Sequence, residues 1–186
     1  DGRMLEAEEI YADIVASLTP KILMGKKVLI TAGPTYEAID PVRGITNRSS
    51  GKMGYALAQA AREAGAAVTL VSGPTALATP RGVRRVDVRA AQEMLNACEA
   101  EAGDADIFIA VAAVADWRVA NAAAQKIKKN ADGALPHLSF AENPDILATI
   151  AQSERAQSGA LYCVGFAAES ESLEEHASAK RLRKGV

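Results

Sequence analysis

Short runs of apolar, β-branched residues alternate with helical patterns along this chain, and that alternation leaves few folds open. Residues 27–32, 67–71, 84–88, 106–111 and 160–167 read as strands. In most of these runs successive positions are apolar, so side chains on both faces are covered, as in a parallel sheet sandwiched by helices. Residues 51–64 place small or apolar side chains at 53, 56, 57, 60, 61 and 64, the stripe of an amphipathic helix, and Gly65 stops it. Residues 90–102 give a second helix ended by Gly103, and residues 6–18 an N-terminal one ended before Thr19-Pro20. The expected fold is α/β: a Rossmann-like, open, mostly parallel sheet with helices on both faces. Ligands of such sheets bind beyond the carboxyl ends of the strands. The segments to watch are therefore 31–54, 72–80, 110–117 and 165–170.

Two stretches break the regularity. Residues 33–50 are longer than an ordinary strand-to-helix connection, an excess that is often functional. Residues 118–133 are polar and carry Lys126, Lys128 and Lys129, and are expected to form a mobile loop or a strand-flanked flap. Asn143-Pro144-Asp145 reads as a helix start, with Asn143 as N-cap and Pro144 at the first helical position. Ile146, Leu147 and Ile150 give that helix its buried stripe. The last helix is expected from about 170–172, with Ser172 and Glu175 as a capping box.

Composition narrows the function. With 21 Lys+Arg against 23 Asp+Glu, the net charge of −2 argues against a nucleic-acid surface. Two cysteines, Cys98 and Cys163, are too few for a disulfide framework and read as buried small hydrophobes in a reducing compartment. His137 and His176 are too far apart in sequence to suggest a histidine zinc site. No apolar stretch reaches the roughly 20 residues of a membrane span, and the polar first residues do not resemble a signal peptide. A cytoplasmic enzyme or binding domain is expected. The sequence starts at Asp1 and stops at Val186 after a helical pattern, where a further strand is expected, so a fragment with an incomplete C-terminus is anticipated.

The loop Ser49-Ser50-Gly51-Lys52-Met53-Gly54 opens a helix with two hydroxyls and two glycines. Helix N–H groups and the positive end of the dipole suit a phosphate there. A plain helix cap fits the pattern equally well, and the long preceding loop favours the functional reading. The loop is neither a Walker A motif nor a GxGxxG fingerprint. A nicotinamide-dependent reductase would need an acid at the end of the second strand, but Val71-Ser72-Gly73-Pro74 has none, and no Tyr-x-x-x-Lys pair follows Ala113. A non-catalytic nucleotide-binding or assembly module stays open. Lys126 and its neighbours are either a solvated face or charge stabilisers for a triphosphate, following the strand-end acid Asp116. Lys180 and Lys184 share a helix face and complement the C-terminal dipole on the plain reading. Tyr55, Trp117 and Phe166 read as core fillers or crevice covers.

Seven motifs carry a resemblance. Thr31-Ala32-Gly33-Pro34-Thr35, Asp40-Pro41-Val42-Arg43, Asn47-Arg48-Ser49-Ser50-Gly51-Lys52-Met53-Gly54, Ala112-Ala113-Val114-Ala115-Asp116, Lys126-Ile127-Lys128-Lys129, Asn143-Pro144-Asp145-Ile146 and Val164-Gly165-Phe166-Ala167-Ala168-Glu169 stand in order. From about residue 26 onward the chain resembles the phosphopantothenoylcysteine synthetases, or phosphopantothenate–cysteine ligases. The resemblance implies that cysteine is joined to 4′-phosphopantothenate with CTP and Mg²⁺ through an acyl-cytidylate, in coenzyme A biosynthesis. It implies that Ser49, Ser50, Gly51 and Gly54 hold nucleotide phosphates. Ala110, Val111, Ala112, Ala113, Asp116, Asn143, Pro144, Asp145, Ile146, Leu147 and Phe166 would line the nucleotide site, and Lys180 and Lys184 would contact CTP. Asn47 would engage the acyl-cytidylate, Lys126 would stabilise nucleotidyl transfer, and Arg43 would reach phosphopantothenate across a homodimer interface. Residues 1–25 resemble the connector that follows an FMN-dependent decarboxylase domain in bifunctional bacterial relatives, leaving 26–186 as the ligase domain. No nucleic-acid or membrane partner is expected.

Overall fold

The computed structural model describes residues 4–128, 136–167 and 172–186, leaving aside the side chain of Leu173. Five strands, β1 (Lys27–Ala32), β4 (Ala67–Ser72), β5 (Arg84–Asp87), β6 (Ile107–Ala110) and β9 (Tyr162–Gly165), form one sheet in the order β5-β4-β1-β6-β9. Every pairing in it is parallel. The order reverses between β1 and β6, and at such a switch point the two following connections leave on opposite faces and open a crevice.

Period-two alternation in β1 builds two cores. Val28, Ile30 and Ala32 face helix α2 (Lys52–Glu63) and meet Tyr55, Ala58 and Ala61. Leu29 faces the other way, where Met94, Leu95 and Cys98 of α3 (Ala91–Ala102) join Phe108 and Ile146, Leu147 and Ile150 of α4 (Ile146–Ala151). Gly54 lets α2 lie against β1, because a Cβ there would stand 2.5 Å from the Ala32 Cβ. The expected strands and these helices stand within two residues of their sequence-read limits, and the strand read as 160–167 is shorter, at Tyr162–Gly165.

The long connection 33–50 is not a bare loop. It folds into an antiparallel hairpin of β2 (Tyr36–Ala38) and β3 (Gly44–Thr46). Buried Glu37 fixes the hairpin by accepting the Ala91 N–H of α3 at 2.9 Å. The lysine-bearing stretch is flanked by strands, β7 (Trp117–Val119) pairing antiparallel with β8 (Phe140–Glu142). Lys129, Gly133 and Ala168 to Glu171 lie outside the described residues.

Helix α1 (Ala7–Leu18) pairs with α2 through Asp13 and Arg62, and with the turn before β5 through Glu9 and Asp13 on Arg81. Short helix α5 (Glu154–Gln157) follows α4, and α6 (Leu173–Lys184) ends the chain. Two expected caps are corrected. The N-cap of α4 is Asp145, whose carboxylate accepts the Ala148 N–H at 3.0 Å, and Pro144 lies outside the helix. Asn143 is drawn away because its Nδ2 donates to the Ala115 carbonyl at 2.8 Å. At α6 the Ser172–Glu175 capping box is not formed: Ser172 has a φ of 47° and no side-chain cap bond. Among the described residues, no helix is long and apolar enough to cross a membrane.

Candidate active site

Hydroxyls at the end of β1 hold the crevice in shape. Thr31 Oγ1 accepts the N–H groups of Val111 and Ala112, and Thr35 Oγ1 accepts that of Ala115. The strand ends of β1 and β6 are stitched further by Ala113 N–H to the Gly33 carbonyl and Thr35 N–H to the Ala113 carbonyl. Both threonines are buried, so these bonds answer backbone donors that the sheet no longer pairs.

Beyond these strand ends lies a cavity of about 430 Å³. Thr31, Ala110 and Ala112 form its floor and Asp116 and Trp117 one wall. Residues 142–147, Phe166 and Lys184 close the other side. Of the expected nucleotide-site residues, it gathers Ala110, Ala112, Asp116, Asn143, Pro144, Asp145, Ile146, Leu147, Phe166 and Lys184. A second cavity of about 620 Å³ adjoins it, sharing Leu147, Phe166 and Lys184 and adding Lys180. Lys184 Nζ lies 3.0 Å from Asp145 Oδ2, so one carboxylate caps α4 and anchors α6. Asn143 gives its N–H to Asp116 and its Nδ2 to Ala115, leaving Oδ1 buried without a partner. Trp117 and Phe166 are exposed at the rim rather than packed in the core, whereas Tyr55 is core.

Other expected residues lie beside this cavity rather than in its lining. Val111 packs toward the α2 core, and the Ala113 carbonyl accepts from Asn47 Nδ2. Asn47 Oδ1 accepts the Ser49 N–H at 3.0 Å, so Asn47 moors the serine loop to the end of β6. At the start of α2, Ser49 Oγ accepts the Gly51 N–H and Ser50 Oγ the Lys52 N–H, both at 3.4 Å. These bonds are long, so an anion has little to displace. Gly51 takes φ 77°, and a Cβ there would lie 3.3 Å from the Gly33 backbone. Gly54 lies in the first turn of α2, buried against Ala32 of β1, and lets the helix approach the sheet.

Lys126 is exposed on the segment after β7 and does not line the 430 Å³ cavity. Arg43 turns inward to its own chain, where its guanidinium pairs with buried Asp40 and Nη2 donates to the Ile127 carbonyl at 2.9 Å. The guanidinium holds the Asp40 carboxyl well below the usual carboxylate range. Sequence reading missed Asp40, although the Asp-Pro-Val-Arg turn was in view.

A third groove, about 350 Å³, opens at the opposite edge of the sheet. Its charges are already matched, Lys27 with Asp104 and Arg84 with Glu101, so it offers no free charge to a ligand. Among the described residues, no three His, Cys, Asp or Glu side chains converge as a metal cage.

The DNA/pantothenate metabolism flavoprotein C-terminal domain model matches residues 23–186. The coenzyme A biosynthesis bifunctional protein CoaBC of Vibrio cholerae is 52% identical over 185 residues, covering 100% of this chain and 46% of its own length. The protein of the same name from Escherichia coli K12 is 49% identical over 187 residues, covering 100% and 45%. The chain thus spans about half the length of these relatives. Among solved structures, the C-terminal domain of a coenzyme A biosynthesis bifunctional protein CoaBC superposes with a TM-score of 0.76 at 42% identity, covering 89% of this chain and 76% of that one.

Proposed function

The chain belongs to the DNA/pantothenate metabolism flavoprotein C-terminal domain family, and from that premise we propose that it is the CTP-dependent ligase that joins cysteine to 4′-phosphopantothenate in coenzyme A biosynthesis. The observation that carries this reading is the crevice at the β1–β6 switch point, lined by Ala110, Ala112, Asp116, residues 143–147 and Phe166.

The carboxylate of 4′-phosphopantothenate attacks the α-phosphorus of CTP and pyrophosphate leaves. The amine of cysteine then attacks the acyl-cytidylate carbonyl, an amide bond forms and CMP departs. An unactivated carboxylate is a poor electrophile, so a leaving group must be installed first. The protein's share is positioning and charge stabilisation. Ser49, Ser50, Gly51 and Gly54 present the start of α2 to phosphate oxygens. Lys126 stabilises the charge that develops in nucleotidyl transfer, and Lys180 and Lys184 hold CTP. Asn47 engages the acyl-cytidylate, and Arg43 reaches phosphopantothenate in a homodimer. The unpartnered Asn143 Oδ1 suits a base that carries an amino donor, since an unmet buried acceptor disfavours a base lacking one. Bound with the triphosphate, Mg²⁺ would supply neutralisation of its charge. The hard oxygen donors suited to it in the cavity are the exposed carboxylates of Asp116 and Glu142, not a full protein cage.

The whole protein is read as a cytoplasmic bifunctional enzyme, with residues 1–25 connecting to an FMN-dependent decarboxylase domain and 26–186 belonging to the ligase. The test is nucleotide binding followed through to products. Titration with CTP, ATP, UTP and NADPH in the presence of Mg²⁺ is expected to show CTP tightest, and CMP and pyrophosphate are expected in equal amounts when phosphopantothenate and cysteine are added. Preferential NADPH binding without CTP binding contradicts the proposal.

A further inference from the structure

The turn between β2 and β3 grips the lysine-bearing segment at three points. The Ala123 N–H donates to the Ile39 carbonyl at 2.9 Å. The Ile127 N–H donates to Asp40 Oδ2 at 3.0 Å. Arg43 Nη2 donates to the Ile127 carbonyl at 2.9 Å. Both backbone polar groups of Ile127 therefore end on one ion pair, and Ile127 stands between Lys126 and Lys128.

The ion pair is built to hold still. Asp40 is 1% exposed, and its carboxylate accepts five hydrogen bonds. Oδ1 takes the N–H groups of Val42 and Arg43, which shapes the turn. Oδ2 takes Arg43 Nε, Arg43 Nη2 and the Ile127 N–H. Charge-assisted bonds of this kind are the strong ones, and a buried oxygen that loses its donors is costly. An exposed lysine in an irregular segment otherwise spreads over many backbone and rotamer states, and gathering them at the moment of reaction costs entropy.

We propose that the Asp40–Arg43 pair is a positioning device for Lys126, fixing the backbone at Ile127 so that the ammonium is presented from one place to the triphosphate. This deepens the ligase reading and rests on the role given there to Lys126. It adds a duty within the chain for Arg43 to the contact with phosphopantothenate proposed above.

Asp40→Asn tests it, because the amide keeps an oxygen for the turn but presents an NH₂ where Ile127 needs an acceptor. In the variant, amide exchange at Ile127 is expected to rise at least about 10-fold while amides of β1 keep their protection. Pyrophosphate release at saturating CTP is expected to fall about 10- to 100-fold, with KM for CTP changed less than about 3-fold. In a Lys126→Ala background the same substitution is expected to cost less than about 2-fold more, because the two residues act through one group. Unchanged turnover in Asp40→Asn, or a loss that multiplies in full on Lys126→Ala, overturns the proposal. If Lys126→Ala itself leaves pyrophosphate release intact, the ligase role of the lysine fails and the proposal falls with it. Exchange at Ile127 separates the two failures, since it reports the grip on the segment whatever the lysine does. Should Asp40→Asn not fold, Asp40→Glu carries the same test with the same expectations, since it keeps the charge and displaces the carboxylate from the Ile127 N–H.

Discussion

Asp40 and Arg43 are joined by two hydrogen bonds from Nε and Nη2 of the guanidinium to a single carboxylate oxygen, and that oxygen also accepts the Ile127 N–H. A pairing confined to four residues of one turn thereby reaches a segment more than eighty residues away.

The Asp40–Arg43 pair makes stability depend on acid. Arg43 and the backbone donors hold the folded Asp40 carboxyl far below its unfolded value of about 3.9. A depressed carboxyl contributes stability that is fully present above the unfolded value and is lost as pH falls toward the folded one. The melting temperature of Asp40→Asn is therefore expected to lie below that of the parent by a constant gap between about pH 5 and 8, narrowing below about pH 4. A gap that widens in acid contradicts the assignment.

Gly54→Ala is expected to destabilise by about 1–3 kcal/mol, as overpacking does. The added methyl would stand 2.5 Å from Ala32 Cβ and push α2 off β1. Urea unfolding measures the loss, and a neutral result would mean that helix and strand are not in close contact.

Lys184→Ala separates stability from binding. The pair with Asp145 is partly solvated, so the stability loss is expected to stay under about 1 kcal/mol. CTP affinity measured by calorimetry is expected to fall about 10-fold, or about 1.4 kcal/mol. Equal affinity in both proteins removes Lys184 from the site.

The two thiols are expected to behave differently. Burial pushes the Cys98 thiol up to about 12, and its side chain is enclosed in the α3 core. Burial also raises the Cys163 thiol, but that residue is half-buried beside the larger cavity. At pH 8 iodoacetamide is expected to label Cys163 slowly in the folded protein and Cys98 after unfolding. Labelling of Cys98 first would contradict the packing.

The sheet was legible because its strands bury both faces, which writes itself as unbroken runs such as Val28, Leu29 and Ile30. The hairpin in 33–50 was not, since three-residue strands with half-exposed side chains leave no alternation to read. Asn143-Pro144-Asp145 matches a capping signature, yet the carbonyl of Ala115 competes for the Asn143 amide and leaves the cap to Asp145. Ser172 fits the capping box by spacing alone, while its positive φ turns the side chain away from that role. Ala110, Ala112 and Asp116, which sequence reading set at strand ends, line one cavity because the switch point gathers the strand-end loops. The link from Asp40 to Ile127 spans 87 residues and had no signal beyond the turn motif itself.

Acyl-cytidylate chemistry is exposed most directly when cysteine is withheld. With CTP, Mg²⁺ and 4′-phosphopantothenate, a rapid-quench experiment is expected to yield pyrophosphate and an enzyme-bound acyl-cytidylate, which added cysteine discharges to CMP and phosphopantothenoylcysteine. Pyrophosphate release that needs no phosphopantothenate, or ligation that proceeds with no cytidylate at any time, would contradict it.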